Sequence, residues 1–256
     1  MTNTPRHIVI AGQGRSGSSL FYALMRSTLT GFCLPETEMP AQAVLHLPGN
    51  VCTKRPFDIL SMDRIAQAAA GRKQLDLIVT IRDPRDIVTS RHTRVPDDYF
   101  CGGDLCYFIP AEGKPTLKMP GYLPLHRAIA AVAQSGLFPQ GIFYLKYEDL
   151  VQHPDEVQAL LADQLGLTFH TSFSRFDGGG VESGLSDAMN GARAVESSRL
   201  GKWRAPKHRA RLIDQFTRFP ELHDAVIALG YAPDRTWFDE RVEEGPHLPG
   251  GLDAGA

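Results

Sequence analysis

Short apolar runs alternate along the chain with segments in which apolar residues recur at helical spacing. The runs at 8–10, 75–81 and 142–147 are rich in β-branched or aromatic residues and have the length of buried strands, and a shorter strand is expected at 51–53. The helical segments lie at about 18–31, 62–73, 84–91, 125–136, 154–165, 206–217 and 220–229, and in the segment 154–165 we expect Val157, Leu160, Leu161 and Leu165 to face inward. This alternation predicts an α/β fold of three layers, with a central parallel sheet flanked by helices and ligands bound at the carboxyl ends of the strands.

Length and composition indicate one ordinary globular domain. The chain has 256 residues, 43% hydrophobic and 22% charged, and we expect a single domain over 1–243 and a disordered tail over 244–256. The net charge of −2 argues against nucleic acid as a partner. No apolar run approaches the roughly 20 residues of a membrane span, and the first residues do not resemble a signal peptide. We therefore expect a cytoplasmic protein, and the cysteine spacing predicts no metal site.

A glycine-rich turn connects the first strand to the first helix. Gly12, Gly14 and Gly17 allow a tight turn and a close approach of the backbone to a ligand. The free N–H groups and the dipole of the helix that follows form an anion site. Further donors around this point come from the side chains of Arg15, Ser16, Ser18 and Ser19. The turn therefore predicts a phosphate-binding loop, and the fold class becomes P-loop-like.

The spacing of the glycines fits three kinds of nucleotide site. Gly-x-Gly-x-x-Gly, followed by Glu36, matches an NAD fingerprint, but the segment 32–40 contains two prolines and no apolar strand. In a P-loop kinase or hydrolase, a lysine that reaches the β- and γ-phosphates would stand where this chain has Ser18. The third kind of site takes its cation from within the loop, here Arg15. It suits a nucleotide with one phosphate on its 5′ side and no γ-phosphate.

A second anion site is predicted after the strand at 75–81. Arg82 follows this strand directly, and Asp83 and Pro84 are a natural N-cap and first residue for the next helix. Because parallel strands end at one edge of the sheet, Arg15 and Arg82 should lie along the same edge. Arginine binds phosphate oxygens in pairs, so the two sites together favour a ligand with phosphates at both ends.

Four segments together resemble the sulfotransferases that use 3′-phosphoadenosine 5′-phosphosulfate (PAPS), most closely their carbohydrate-acting and bacterial branches. The segment 14–21 resembles the family's 5′-phosphosulfate loop, and Arg82 and Ser90, eight residues apart, resemble its 3′-phosphate pair. The segment 145–150, which contains Tyr147, resembles its tyrosine-glutamate-aspartate element. The segment 198–203 resembles its late basic segment, which closes over the 3′-phosphate. The residues that this last match assigns to PAPS are Arg199, Gly201 and Lys202.

The resemblance implies an in-line transfer of the sulfuryl group from PAPS to a hydroxyl or amine of an acceptor. The product would be adenosine 3′,5′-bisphosphate (PAP), and no metal would be required. Arg15, Ser18 and Ser19 would stabilise charge on the bridging oxygen, with Lys54 as a further electrophile. The implied acceptor is a small molecule, a glycan or a lipid.

The general base is left open by the sequence. Pro35-Glu36 resembles the bacterial carbohydrate branch, in which a glutamate at this place takes the proton; Glu38 and His46 are the other candidates. Leu20 stands where the cytosolic branch has an adenine-stacking tryptophan, so Phe21 or another aromatic residue is expected to supply that surface. The irregular region 93–124 is expected to shape the acceptor pocket with Tyr99, Phe100, Tyr107, Phe108 and Tyr122.

Three rival functions come from other classes. The first is a P-loop nucleotide kinase or hydrolase, which should depend on Mg²⁺. The second is an NAD-binding oxidoreductase. The third is a non-catalytic module that binds the nucleotide and transfers nothing.

Overall fold

The computed structural model describes residues 4–96, 98–110, 112–181, 183–189, 191 and 194–243, apart from the side chains at 101, 183, 187 and 188. The tail at 244–256, predicted to be disordered, lies outside these residues. The strands are β1 (Arg6–Gly12), β2 (Val51–Lys54), β3 (Gln74–Ile81), β4 (Phe100–Cys101), β5 (Leu105–Phe108), β6 (Thr116–Lys118) and β7 (Phe143–Lys146). The helices are α1 (Ser18–Thr28), α2 (Met62–Ala69), α3 (Pro84–Val88), α4 (Tyr122–Gln134), α5 (Tyr147–Gln152), α6 (Pro154–Leu165), α7 (Ser183–Met189), α8 (Arg209–Arg218), α9 (Glu221–Ala228) and α10 (Thr236–Glu243).

Four strands form a parallel sheet in the order β2-β1-β3-β7. The predicted α/β fold is confirmed. β1 and β3 are the central strands, and their side chains are buried on both faces because helices cover both sides. The carboxyl ends of all four strands lie at one edge, from which the loop after β1 and the start of α3 project. This edge positions the site.

Two apolar layers cover the sheet. On one face, Phe21 and Leu24 of α1 pack with Leu161 of α6 against Ile8 and Ile10 of β1. On the other face, α2 and α4 pack against the remaining residues of β1 and β3. The residues in this second layer include Val9, Ile65, Val79, Leu125 and Ile129. The fold therefore has the three layers that the sequence pattern predicts.

Three local predictions are wrong. The region 93–124 is not irregular throughout, because β4, β5 and β6 form a small antiparallel sheet within it. Phe100 and Tyr122 are fully buried, so they belong to the core and not to a pocket wall. In α6, Leu160 was expected to face inward but is 48% exposed, because the buried face runs through Val157 and Leu161.

Within the described ranges, no helix combines the length and the apolar character that crossing a bilayer requires. In the same ranges, no three His, Cys, Asp or Glu side chains converge as metal ligands do.

Candidate active site

The turn between β1 and α1 adopts a backbone that requires glycine. Gly12 has φ of 125° and Gly17 has φ of 84°, and Arg15 itself lies in the left-handed region with φ of 62°. A Cβ atom at position 12 would come within 2.6 Å of the carbonyl oxygen of Thr80, and one at position 17 would overlap with the ring of Tyr147. Gly17 is the N-cap residue of α1 and provides no side-chain hydrogen bond to the helix. It therefore leaves the first N–H groups of α1 without a side-chain cap from this position.

A cleft lies above this turn. It is lined by residues from all four segments that resemble PAPS-dependent sulfotransferases. The turn and α1 provide one wall, and Arg82 and Tyr147 follow β3 and β7 at the same edge of the sheet. The lining residues are Arg15, Gly17, Ser18, Ser19, Leu20, Arg82, Tyr147, Met189, Gly191, Ala194, Glu196 and Arg199. The structure thus brings together residues that are far apart in the sequence.

Arg82 is the link between three of these segments. Its guanidinium carbon lies 4.3 Å from the ring centroid of Tyr147. Its Nη2 donates a hydrogen bond to the carbonyl oxygen of Arg199 at 2.8 Å and lies 3.4 Å from Asp86 Oδ2. The guanidinium is therefore held in a fixed orientation at the cleft.

Two of the residues predicted to bind the 3′-phosphate have a buried polar atom without a partner. Among the described residues, neither Nε of Arg82, which lines the cleft, nor Oγ of Ser90, which is not one of the lining residues, has a hydrogen-bond partner. A buried polar group without a partner costs free energy, so such groups commonly mark a binding site. Both atoms can donate a hydrogen bond, so either of them could bind a phosphate group such as the 3′-phosphate of PAPS.

The electrostatics of the cleft favour an anion. Burial lowers the pKa of Arg15, and repulsion from Arg82 and Arg199 lowers it further. The pKa of Lys202 is also lowered, first by desolvation and then by Arg199 and Arg82. Arginine stays protonated despite such shifts. These cations repel one another in the free protein, and a bound anion would relieve that repulsion.

A partly buried ion pair lies at the end of β2. Nζ of Lys54 is 2.5 Å from Oε2 of Glu38; the lysine side chain is 4% exposed and the glutamate side chain 46%. Tyr99 connects this pair to the cleft, because the guanidinium of Arg15 lies 5.3 Å from its ring centroid. Burial raises the pKa of Tyr99 to about 12, and the nearby charge of Glu38 acts in the same direction. Of the three candidate bases, Glu38 is thus the one that pairs with Lys54.

The three candidate bases do not line the cleft: Glu36, Glu38 and His46 are all exposed, and none of them is among the described residues that line it. The hydroxyl of Ser16 is buried under the turn, where it donates to the carbonyl oxygen of Gln13 at 2.6 Å and lies 2.8 Å from Thr80 Oγ1. Ser16 therefore ties the turn to β3 through its side chain.

The late basic segment, 198–203, contacts α3 through its backbone and lines the cleft with one of its charged side chains. Gly201, with φ of 62°, donates its N–H to Asp86 Oδ2 at 2.9 Å. Lys202 is exposed at the start of a 3₁₀ turn, so of the three predicted residues Arg199 is the one that lines the cleft.

The sequence missed several contributors, and one of its expectations fails. Phe21 is fully buried and packs edge-on against Phe173, so it cannot present a ring to adenine, whereas Leu20 does line the cleft. Gln13 holds the turn, since its Nε2 donates to the hydroxyl of Tyr122 at 3.0 Å. The part of the cleft wall formed by Met189, Gly191, Ala194 and Glu196 was missed too, because no motif marks these residues.

The chain was compared with known proteins. No protein-family model matches it. No curated protein matches it either. Two sulfotransferase domains of known structure are similar to this chain. The domain from the curacin biosynthetic pathway is 14% identical with a TM-score of 0.47, and the match covers 80% of this chain and 92% of that one. The domain from the Synechococcus PCC 7002 olefin synthase is 15% identical with a TM-score of 0.49, covering 80% and 90%.

Proposed function

We propose that this chain is a PAPS-dependent sulfotransferase that transfers a sulfuryl group to a hydroxyl or amine of a small-molecule, glycan or lipid acceptor. The observation that carries the proposal is the convergence of Arg15, Arg82 and Arg199 on one cleft at the N-terminus of α1. A nucleotide with an anionic group at each end could bind the three arginines and the N-terminus of α1 at the same time.

The two ends of the cleft differ in their donors. The start of α1, with Arg15, Ser18 and Ser19, would hold the 5′-phosphosulfate. Arg82, Ser90 and Arg199 would hold the 3′-phosphate, and the unpartnered Nε and Oγ atoms of the first two support this assignment. PAPS supplies an activated sulfuryl group, and that transfer needs no metal.

Glu38 is the residue that we propose as general base, ahead of Glu36 and His46. It would take the proton from the acceptor hydroxyl while the acceptor oxygen forms a bond to sulfur and the bond from sulfur to the bridging oxygen breaks. Arg15, Ser18, Ser19 and Lys54 would stabilise the charge that develops on the bridging oxygen, and PAP would leave. The pairing of Glu38 with Lys54 supports the choice, because the ion pair holds the Glu38 carboxylate in one orientation.

Thermal unfolding in the presence of EDTA tests the nucleotide. We expect PAP to raise the melting temperature and ATP or NAD to raise it far less, since no lysine for a γ-phosphate is among the described residues that line the cleft. Equal or greater stabilisation by ATP with Mg²⁺ would instead indicate a kinase or hydrolase, and stabilisation by NAD an oxidoreductase.

Transfer itself is tested with labelled PAPS and a panel of glycan, lipid and small-alcohol acceptors. Label should appear on at least one acceptor class, in step with PAP release. Tight PAP binding without transfer to any of them would indicate a non-catalytic binding module.

A further inference from the structure

Asp86 joins α3 to the segment 199–203, which lies more than a hundred residues further along the chain. Its buried carboxylate accepts two backbone N–H groups of that segment: Gly201 N–H at Oδ2 (2.9 Å) and Trp203 N–H at Oδ1 (3.0 Å). Oδ2 also lies 3.4 Å from Nη2 of Arg82. Each carboxylate oxygen of Asp86 is thus hydrogen-bonded in the protein interior, as a buried charge requires.

These contacts close a ring. Arg82 donates to the carbonyl oxygen of Arg199, and Asp86 binds both Arg82 and the backbone two residues beyond Arg199. The turn that brings the two N–H groups onto one carboxylate depends on Gly201, whose φ is 62°. The ring therefore fixes the relative positions of Arg82 and Arg199, the two arginines at one end of the cleft.

A second set of contacts holds the same segment from the side. The guanidinium carbon of Arg85 lies 4.1 Å from the ring centroid of Trp203, and Arg85 is itself bound by Asp83 at 2.8 Å. Asp86, by contrast, binds the segment through two of its backbone N–H groups and also contacts Arg82. Asp86 is not one of the described residues that line the cleft, so it would act through the arginines and not by touching the ligand.

We propose that Asp86 is a positioning residue for recognition of the 3′-phosphate. By anchoring the segment 199–203 on α3, it holds Arg82 and Arg199 in the arrangement that two arginines need to bind one phosphate. The proposal rests on the function proposed above and deepens it. Asp86 determines the preference for PAP over AMP, which lacks the 3′-phosphate.

Asp86→Asn tests the proposal, with Asp76→Asn as matched control. Asp76 is a carboxylate on the opposite edge of the sheet, and it loses an arginine partner, Arg6 at 2.9 Å, in the same substitution. In Asp86→Asn we expect the amide protons of Gly201 and Trp203 to exchange faster by NMR in the ligand-free protein. PAP affinity should fall about tenfold, because the hydrogen bonds from Gly201 and Trp203 would no longer go to a charged group. AMP affinity should stay within about twofold of its wild-type value.

Each result decides the matter. Unchanged amide exchange, or equal losses for PAP and AMP, would overturn the role of Asp86, and so would the same changes in Asp76→Asn. If wild-type protein binds no PAP, the proposed function itself fails, and the 3′-phosphate role fails with it. Normal PAP binding by both wild type and Asp86→Asn would remove the role of Asp86 alone.

A second variant covers the case in which Asp86→Asn does not fold. Gly201→Ala leaves the carboxylate intact but strains the turn, because an alanine there would need a positive φ and its Cβ would overlap with the side chain of Arg204. The same selective loss of PAP affinity is expected. Full retention of the preference for PAP in Gly201→Ala would contradict the proposal.

Discussion

The backbone of Gly17 lies directly against the ring of Tyr147, so closely that a Cβ atom at position 17 would overlap with it. Gly17 belongs to the turn after β1, and Tyr147 is the first residue of α5, which follows β7. The guanidinium carbon of Arg82 lies 4.3 Å from the centroid of the same ring. One aromatic ring thus sets the spacing between the turn at the start of α1 and the arginine after β3.

Gly17→Ala is expected to damage both the fold and the nucleotide site. The new Cβ would push against Tyr147 while the residue is held at φ of 84°, which should lower the free energy of unfolding by about 1–3 kcal/mol. Urea denaturation measures this loss, and isothermal titration with PAP measures the expected loss of affinity. Gly14→Ala is the control, because its Cβ would be in ordinary contact, 3.5 Å from Phe100 Cζ. Similar losses in both variants would show that the contact with Tyr147 is unimportant.

Arg82→Ala should separate the two ends of the nucleotide. PAP affinity is expected to fall about tenfold to a hundredfold, since Arg82 would donate to the 3′-phosphate, while AMP affinity should change little. Titration of both ligands in EDTA is the measurement. Arg127→Ala serves as a control, because Arg127 is an exposed arginine paired with Glu221 at 3.3 Å. If AMP binding weakened as much as PAP binding, Arg82 would not lie at the 3′-phosphate.

Glu38→Gln should slow transfer while leaving PAP binding intact. Loss of a general base typically costs a factor of about 10²–10⁴ in rate, and the amide keeps the shape of the side chain. Initial rates with labelled PAPS and an active acceptor measure the effect, with PAP titration alongside. Glu36→Gln is the matched control, since Glu36 lies two residues away and is also exposed. A larger loss of rate in Glu36→Gln than in Glu38→Gln would assign the base to Glu36.

His7 should make the protein less stable in acid. It is fully buried in β1, with Nε2 at 2.9 Å from Oγ1 of Thr53 on β2. Burial, helped by the charge of Lys73, lowers its pKa from 6.5 to about 4. Between pH 6.5 and about pH 4, His7 is protonated in the unfolded chain and neutral in the folded chain. The free energy of unfolding therefore falls as the pH drops through this range.

The size of this effect is about 3 kcal/mol between pH 7 and pH 4. Urea denaturation across this range should show it in wild type, and His7→Gln should lose that share of the pH dependence. The comparison isolates His7 from the carboxylates that also titrate there. Identical pH profiles for the two proteins would contradict the assignment.

Local patterns were sufficient for much of the fold. The run 8–10 and the three glycines after it predict β1, the turn and α1, because strand length, φ > 0 and helical spacing are all properties of neighbouring residues. Arg15 and Arg82 were expected at one edge for the same reason, since each follows a parallel strand. Patterns failed where packing decided, as for Leu160, which is apolar but exposed, and for Phe21, which the core buries completely.

What the sequence by itself determined is the three-layer α/β frame and the glycine-rich turn at its edge, because both depend on short-range periodicity and on the backbone freedom of glycine. Only the tertiary structure decided that Glu38, and not Glu36, pairs with Lys54, and that Asp86 anchors the segment 199–203. These are contacts between residues distant in the chain. Which of two neighbouring carboxylates meets a lysine depends on the path of a loop through space, and periodicity carries no information about that path.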